Sequence, residues 1–306
     1  MILDDPRAAV GIPQVSIVIP VFNGAAFVAE AIDSALAQQG VSVEVIVVDD
    51  GSTDQTPAVL EAYGERISLI RQANAGVAAA TNAAVRAARG QWIAFLDADD
   101  IFEPTKLRQQ LDLVARERVG FCYTDSFCVG DGIVEPLLRS SFEPPYTGDV
   151  MEALLVRNFV VKSTVLLRRE IYQSLGGMDE SFLGVDDWPL WIRCAGITEF
   201  AYVPQPLATY RFHKASKSTR TDQTLPDHLR VVEWAFSPDG PGARRQGLRR
   251  KAQAESYSIN ADFALRAGDW RRSLRYALRA TWNTPWSIAQ WKRMARALIT
   301  RLTESH

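Results

Sequence analysis

Four short apolar runs, separated by helical stretches and two of them ending in acidic clusters, constrain this chain more than any other feature. They are Val15–Pro20, Val43–Val48, Ile67–Ile70 and Trp92–Leu96. Near-continuous apolar strands of this length suit a sheet covered on both faces. Between the first two, Phe27, Val28, Ala31, Ile32, Ala35 and Leu36 recur at helical spacing before Gly40. A helix with Pro57 in its first turn, capped by Thr53 or Asp54, ends near Gly64; an alanine-rich helix spans about Gly76–Ala88. Strand and helix in regular alternation predict an α/β fold, a mainly parallel sheet flanked by helices.

After Pro104 the alternation loosens. Leu107, Leu111 and Val114 mark a helix, Gly120–Phe127 a strand, Pro136–Gly148 a loop and Val160–Leu167 another strand. Gly176-Gly177 reads as a turn, and Trp188–Ile192 begins a short helix. Beyond the turn at Asp239-Gly240-Pro241-Gly242, the domain boundary expected here, the pattern is helical, in pieces over Ala261–Leu265, Trp270–Ala280 and Ile288–Leu302.

Composition excludes several classes. Of 306 residues 47% are hydrophobic and 23% charged, which is ordinary for a globular chain and rules out a low-complexity one. Cys122, Cys128 and Cys194 form no C-x-x-C pair, so a cysteine-built zinc site is unsupported and a reducing compartment is expected. No run approaches the ~20 apolar residues of a membrane span. Residues 1–14 carry acids and a proline where a signal peptide would be basic and then apolar. The expected location is therefore cytoplasmic. The net charge of −2 is unevenly spread: residues 241–306 hold 14 Lys and Arg against 4 Asp and Glu, with four of the eight tryptophans. That segment carries +10 and the remainder −12. Such a tail either docks on the acidic body or meets an anionic membrane surface, making the protein peripheral there. No recognition motif supports nucleic acid as its partner.

Ligands of open α/β sheets bind outside the carboxyl ends of the strands. Here two strand ends carry Asp49/Asp50 and Asp97/Asp99/Asp100. Acids gathered there repel one another and call for a cation. A D-x-D turn offers the oxygen ligands that Mg²⁺ or Mn²⁺ takes together with substrate phosphates. Asp54 reads instead as a helix cap. The chain lacks a G-x-x-x-x-G-K-[ST] loop, a G-x-G-x-x-G after the first strand, H-E-x-x-H and G-x-S-x-G. That excludes P-loop ATPases, dinucleotide dehydrogenases, zincins and α/β-hydrolases.

Seven segments in order carry a resemblance: VSIVIPVFN (15–23), VEVIVVDDGSTD (43–54), NAGVAAATN (74–82), GQWIAFLDADD (90–100), GGMDESF (176–182), VDDWPLWIR (185–193) and YRFHKASKS (210–218). Over about residues 15–218 the chain resembles an inverting family 2 glycosyltransferase with the GT-A fold. The resemblance implies a transferase domain over 1–240, with a nucleotide-binding half at about 15–100 and an acceptor half at about 101–240, followed by a basic helical segment at 241–306. It implies that Pro20, Val21 and Phe22 line the nucleotide base and that Asp50 accepts a hydrogen bond from it. Asp97 and Ala98 would face the ribose and diphosphate. Asp99 would ligate the metal, with His213, near Arg211 and Lys214, completing the site. Asp187 would be the catalytic base and Asp186 an acceptor contact. Trp188 would either stack on a sugar or pack with Trp191. Thr81 stands where the family has arginine, which removes a cation from the diphosphate side, and Pro189 replaces an acid two residues after the base.

The chemistry agrees with those roles. A metal stabilises the departing diphosphate, and one carboxylate deprotonates the acceptor hydroxyl for in-line, inverting attack. The helix dipole at the start of Trp188–Ile192 favours the ionised form of Asp187. The partners implied are a nucleotide-sugar donor, UDP-, GDP- or dTDP-linked, and a glycan or lipid-linked acceptor. Two rival classes are a nucleotide-sugar-binding protein without turnover and a nucleotidyltransferase. Asp99 and Asp187 together speak against the first, and the absence of a basic, Gly-rich first loop against the second.

Overall fold

The computed structural model describes residues 11–131, 133–213, 221–288, 290–292 and 294. The expected strands and helices of the first hundred residues are present: β1 (Val15–Val21), α1 (Val28–Leu36), β2 (Val43–Asp49), α2 (Thr56–Glu61), β3 (Ser68–Arg71), α3 (Val77–Ala87) and β4 (Trp92–Phe95). After them come β5 (Ile101–Phe102), α4 (Lys106–Glu117), β6 (Phe121–Gly130), β7 (Leu137–Leu138), α5 (Met151–Val156), β8 (Leu166–Arg168), α6 (Arg169–Ser174), α7 (Trp188–Ala195) and β9 (Phe200–Phe212). Three longer helices close the described chain: α8 (Thr221–Ala235), α9 (Arg249–Arg266) and α10 (Trp270–Asn283).

Contacts divide the chain into two compact units. One runs to Val150 and takes in Phe159–Glu180 and Arg193–Arg211; the other takes in Met151–Asn158, Ser181–Ile192 and the chain from Phe212 on. Asp239–Gly242 lies inside the second unit, so the boundary expected there separates α8 from α9 rather than one unit from the other.

The first unit holds the sheet. Among the described residues it has nine strands in the order β3-β2-β1-β4-β8-β6-β9-β5, with β7 on β6. β3, β2, β1 and β4 are parallel, whereas β8 runs antiparallel to β4, β6 to β8, and β5 to β9. The parallel half is thus the expected helix-flanked sheet, and the rest makes it mixed. Every residue of β1 is buried. Its Val15, Ile17, Ile19 and Val21 pack with Val28, Ala31 and Ile32 of α1 and with Val45 and Val47 of β2. Each such side chain contributes roughly 1.5–3 kcal/mol relative to exposure.

Two expected elements need correction. The stretch expected as a loop over 136–148 contains β7 and a 3₁₀ turn at Arg139–Ser141. The strand expected over Val160–Leu167 is a 3₁₀ turn at Lys162–Thr164 followed by the three-residue β8. Side-chain bonds of Lys162 and Ser163 to distant acids, described below, override the apolar pattern.

The second unit is helical. α9 packs against α8 and α10, and α5 lies on α8 and α9. The piece expected at Ala261–Leu265 is the end of the 18-residue α9. Asp269 caps α10, accepting from Arg272 N at 2.9 Å. The helix expected at Ile288–Leu302 lies mostly outside the described residues.

Lys106 is fully buried at the start of α4. Its ammonium sits 4.0 Å from the centre of the Phe102 ring and donates to Gln110 Oε1 at 2.8 Å. Burial lowers its pKa to about 7, against roughly 10.4 in an unfolded chain. Between those values the unfolded chain holds a proton that the folded one lacks, so raising pH favours folding. Urea denaturation of wild type and Lys106→Met should show the stability difference moving towards the wild type as pH rises from about 7 to 10. A pH-independent difference would mean that this lysine stays charged in the fold.

Candidate active site

In the first unit, the ends of β1, β2 and β4 lie side by side. Val21 pairs with Asp49 across β1 and β2, Asp50 N donates to Val21 O at 2.8 Å, and Leu96 N donates to Val18 O at 3.0 Å. Asn23, at φ 52, binds the loops together. Its Oδ1 accepts from Thr53 N at 2.8 Å and Asp54 N at 3.3 Å, while its own N–H donates to Ser52 Oγ at 2.9 Å. The N-cap of α2 is Gln55 rather than the expected Thr53 or Asp54; Asp54, one residue earlier, accepts from Thr56 N at 2.9 Å through Oδ1.

Asp50 is buried and its carboxylate accepts three bonds: Gln72 Nε2 at 2.8 Å, Ala75 N at 2.9 Å and Gly76 N at 2.8 Å. Gly51 makes this approach possible. At φ +77 a Cβ there would meet Asn74 N at 2.8 Å. Pro20 and Val21 are buried, whereas Phe22 is 50% exposed, an apolar wall open on one side.

The turn after β4 holds Asp97, Ala98 and Asp99, all half-buried, and the buried Asp100. Each neighbouring segment answers its charge differently. Lys162 Nζ lies 2.6 Å from Asp97 Oδ1, and this lysine is itself buried. Asp97 N donates to Ser163 Oγ at 3.1 Å, and the Ser163 hydroxyl donates to Asp100 Oδ2. Arg211 N donates to Asp100 Oδ1 at 3.0 Å. Burial, and then the charges of Asp99 and Asp97, push the Asp100 carboxyl well above the usual carboxylate range.

Lys162 and Ser163 are the residues that sequence reasoning missed. They sit in an apolar run more than sixty residues from the turn they serve. A lysine interrupting a strand-like pattern was the available signal. Lys162 also supplies a cation beside the acids in a chain with Thr81 in place of arginine. Thr81 itself is buried and donates to Val77 O at 2.7 Å.

Asn82 ties α3 to the GGMDE segment. It donates to Met178 O at 3.0 Å and Glu180 Oε1 at 2.9 Å, and accepts from the Tyr172 hydroxyl at 2.6 Å. Gly177, at φ +83, passes so close that a Cβ would lie 2.5 Å from Asn82 Oδ1.

In the second unit, Asp187 immediately precedes α7, and its backbone oxygen accepts from Trp191 N at 3.0 Å. Its half-buried carboxylate accepts from Asn158 Nδ2 at 3.1 Å and from Trp191 Nε1 at 3.2 Å. The preceding loop is fastened to α8. Gly184 N donates to Asp227 Oδ2 at 2.6 Å, Arg230 donates to Ser181 O at 3.1 Å, and its guanidinium lies 4.7 Å from the Phe182 ring centre.

Of the two roles open to Trp188, sugar stacking or packing, burial favours packing: the side chain is 1% exposed. Its indole N–H donates to Leu154 O at 2.7 Å, and its ring leans on His228 at 5.5 Å between centres. Asp186 is buried as well, at 6% exposure, rather than presented for an acceptor. Burial lowers the pKa of His228, whose Nδ1–H donates to Thr224 O at 2.7 Å.

His213 follows β9 by one residue and is half-buried; Lys214, expected beside it, lies outside the described residues. Among the described residues no three Asp, Glu, His or Cys side chains converge to hold an ion. Mg²⁺ and Mn²⁺ sites commonly use one or two carboxylates plus substrate phosphates. The half-buried Asp99 carboxylate, beside an Asp97 already met by Lys162, fits such an ion.

This geometry, acids at adjoining ends of a parallel sheet, accompanies clear family membership. Residues 16–176 match the model of glycosyl transferase family 2, and the chain belongs to that family. It is a glycosyltransferase. It is 31% identical to a glycosyltransferase of Rickettsia prowazekii over 216 residues, 68% of this chain and 67% of the relative. It is 46% identical over 110 residues, 35% of this chain and 32% of the relative, to the succinoglycan biosynthesis protein ExoO of Rhizobium meliloti. Its fold resembles a mannosyltransferase of Pyrobaculum calidifontis solved with GDP-Man and Mn²⁺, with TM-score 0.59, 20% identity and coverage of 95% and 86% of the two chains. The sheet and its flanking helices are accordingly of GT-A type. No described helix is long and apolar enough to cross a membrane.

Replacing Lys162 by Met leaves Asp97 without its ammonium partner. Removing one member of a buried pair costs more than the pair contributes. With Asp97 partly exposed, urea denaturation should show a loss of about 1–3 kcal/mol. Unchanged stability would show that the pair does not hold the turn.

Proposed function

We propose that this glycosyltransferase moves one sugar from a nucleotide-diphosphate donor to a hydroxyl of a glycan or lipid-linked acceptor, with inversion, in the synthesis of a cell-surface polysaccharide or glycolipid. The observation that carries the donor assignment is the acidic turn Asp97–Asp100 beside the buried, hydrogen-bonded Asp50. The similarity to ExoO supports polysaccharide synthesis, and the GDP-Man complex of the structural neighbour supports a nucleotide-sugar donor. Cys122, Cys128 and Cys194 are buried thiols outside any disulfide, which supports a reducing compartment and a cytoplasmic enzyme.

Phe22 lies against one face of the nucleotide base, with Pro20 and Val21 beneath it. Asp50, which accepts three bonds of the roughly four that a carboxylate can take, accepts the fourth from the base. Asp97 and Ala98 face the ribose and diphosphate, and Lys162 holds Asp97 in position. Asp99 would hold Mg²⁺ or Mn²⁺; the role expected of His213 stays an expectation of the resemblance. When bound, the ion offsets negative charge on the diphosphate. A Mn²⁺ ion in the neighbouring mannosyltransferase structure supports this choice.

Asp187 is the base. It takes the proton of the acceptor hydroxyl as that oxygen bonds to the anomeric carbon, while the bond from this carbon to the diphosphate oxygen breaks. Asn158 and Trp191 hold its carboxylate by N–H bonds and so fix its direction. One displacement with one base gives inversion, and no carboxylate nucleophile is required.

Asp187→Asn keeps the shape and removes the base. Turnover of the accepted nucleotide sugar should fall by about 10²–10⁴-fold, while the donor dissociation constant changes less than about threefold. Near-normal turnover would move the base elsewhere; lost donor binding would make Asp187 part of the donor site.

Asp99→Ala should remove the tightening of nucleoside-diphosphate binding by Mn²⁺, read by isothermal titration with and without EDTA. A variant whose binding still responds to the ion as wild type does would exclude Asp99 as its ligand.

A further inference from the structure

The second unit carries a surface that sugar transfer does not use. α10 turns small side chains inward: Ser273, Ala277, Ala280 and Thr281 are buried. α9, its main partner, likewise buries Ala252, Ala254, Ser256, Ser258, Ala261 and Ala264. Small residues on both sides let the backbones approach closely; of the large side chains, Tyr276 meets the Tyr257 ring of α9 and Arg279 donates to the Tyr257 hydroxyl at 3.4 Å, while others are left to point away. Arg271, Arg275, Leu278, Arg279 and Trp282 are all exposed. Their spacing of four, three, one and three residues puts them on one helical face.

Large exposed apolar residues follow in the last turns of α10 and just beyond its end at Asn283. Leu278 is 52% exposed, Trp282 82%, Trp286 74%, Ile288 72% and Trp291 49%. Trp291 is held at the turn, its indole N–H donating to Pro285 O at 2.8 Å. Single exposed apolar residues are ordinary, but five large ones within fourteen residues form a patch that marks an interaction surface. Arg271 and Arg275 precede them on the face and Arg279 adjoins Leu278, and Arg271 and Trp282 are about 16 Å apart along the axis at the usual rise per residue.

We propose that this face docks on an anionic lipid surface, with Trp282, Trp286 and Trp291 seated at the headgroup level and Arg271, Arg275 and Arg279 against lipid phosphates. Tryptophan, an apolar body with one polar N–H, suits that boundary, and guanidinium pairs bidentately with phosphate. Since its inner face is covered by α9, α10 engages obliquely: the tryptophan end enters the interface by about 5–10 Å while the end with Arg271 and Arg275 stays at the phosphates. The inference goes beyond the assigned transfer reaction and is independent of the donor and base residues.

The test uses the full-length protein with sucrose-loaded vesicles, either of pure phosphatidylcholine or of equimolar phosphatidylcholine and phosphatidylglycerol. Co-sedimentation with the anionic vesicles, weakened by salt and accompanied by a blue shift of tryptophan fluorescence, is expected. Replacing Trp282, Trp286 and Trp291 by Ser, or Arg271, Arg275 and Arg279 by Glu, should weaken it by at least about tenfold. Circular dichroism should show both variants folded. Failure of the wild type to sediment, equal binding to neutral vesicles, or undiminished binding by both folded variants would each overturn the proposal. So would a dimer in light scattering that the tryptophan variant abolishes in a protein that ignores vesicles.

Discussion

Three carboxylates within four residues at the end of β4 repel one another, and much of the first unit is arranged around that repulsion. Each acid meets a different solution. Asp100 is buried, receives bonds from Ser163 and Arg211 N, and its carboxyl is driven towards the neutral form. Asp97 is paired with a lysine from a segment far away in the chain. Asp99 stays half-exposed at the turn. Charge is thus dealt with by neutralisation, by an internal cation, and by a position suited to an external one. Because Arg211 N and Ser163 both reach Asp100, the acids also set where β9 and the Lys162–Thr164 turn must lie.

The second unit solves a different problem, that of holding one carboxylate at a helix start. Asp187 accepts from two side-chain N–H groups, while α8 fastens the loop that leads to it through Asp227 and Arg230. Trp188, buried next to it, anchors the start of α7 through Leu154 O. The carboxylate is therefore held in one direction by two N–H donors. That supports the base proposed for it, since a base acts best from a fixed direction.

What the sequence revealed follows from how local each signal is. β1 to β4 were legible because each is a continuous apolar run, and their terminal acids were legible because ligands of such sheets sit at strand ends. β5 has only two residues, and β9 contains Pro204 and Pro206, so neither announces itself as a strand. α8 is a 15-residue helix with Pro226 inside, which masks its periodicity. Lys162 lies in a strand-like run, and only the fold reveals that it turns to meet Asp97. Trp188, beside Asp187, reads equally as a sugar-stacking or a packing residue, and only the fold shows that its N–H is spent on a backbone carbonyl inside the core.

The central claim is that one carboxylate, Asp187, serves one displacement at the anomeric carbon. Its most direct test is the proton NMR spectrum of the glycoside formed from an α-linked nucleotide sugar, whose new linkage keeps the configuration in which it was made. A single displacement predicts a β-linked product, seen in the coupling of its anomeric proton. An α-linked product would require two displacements or a front-face path, and would contradict the account.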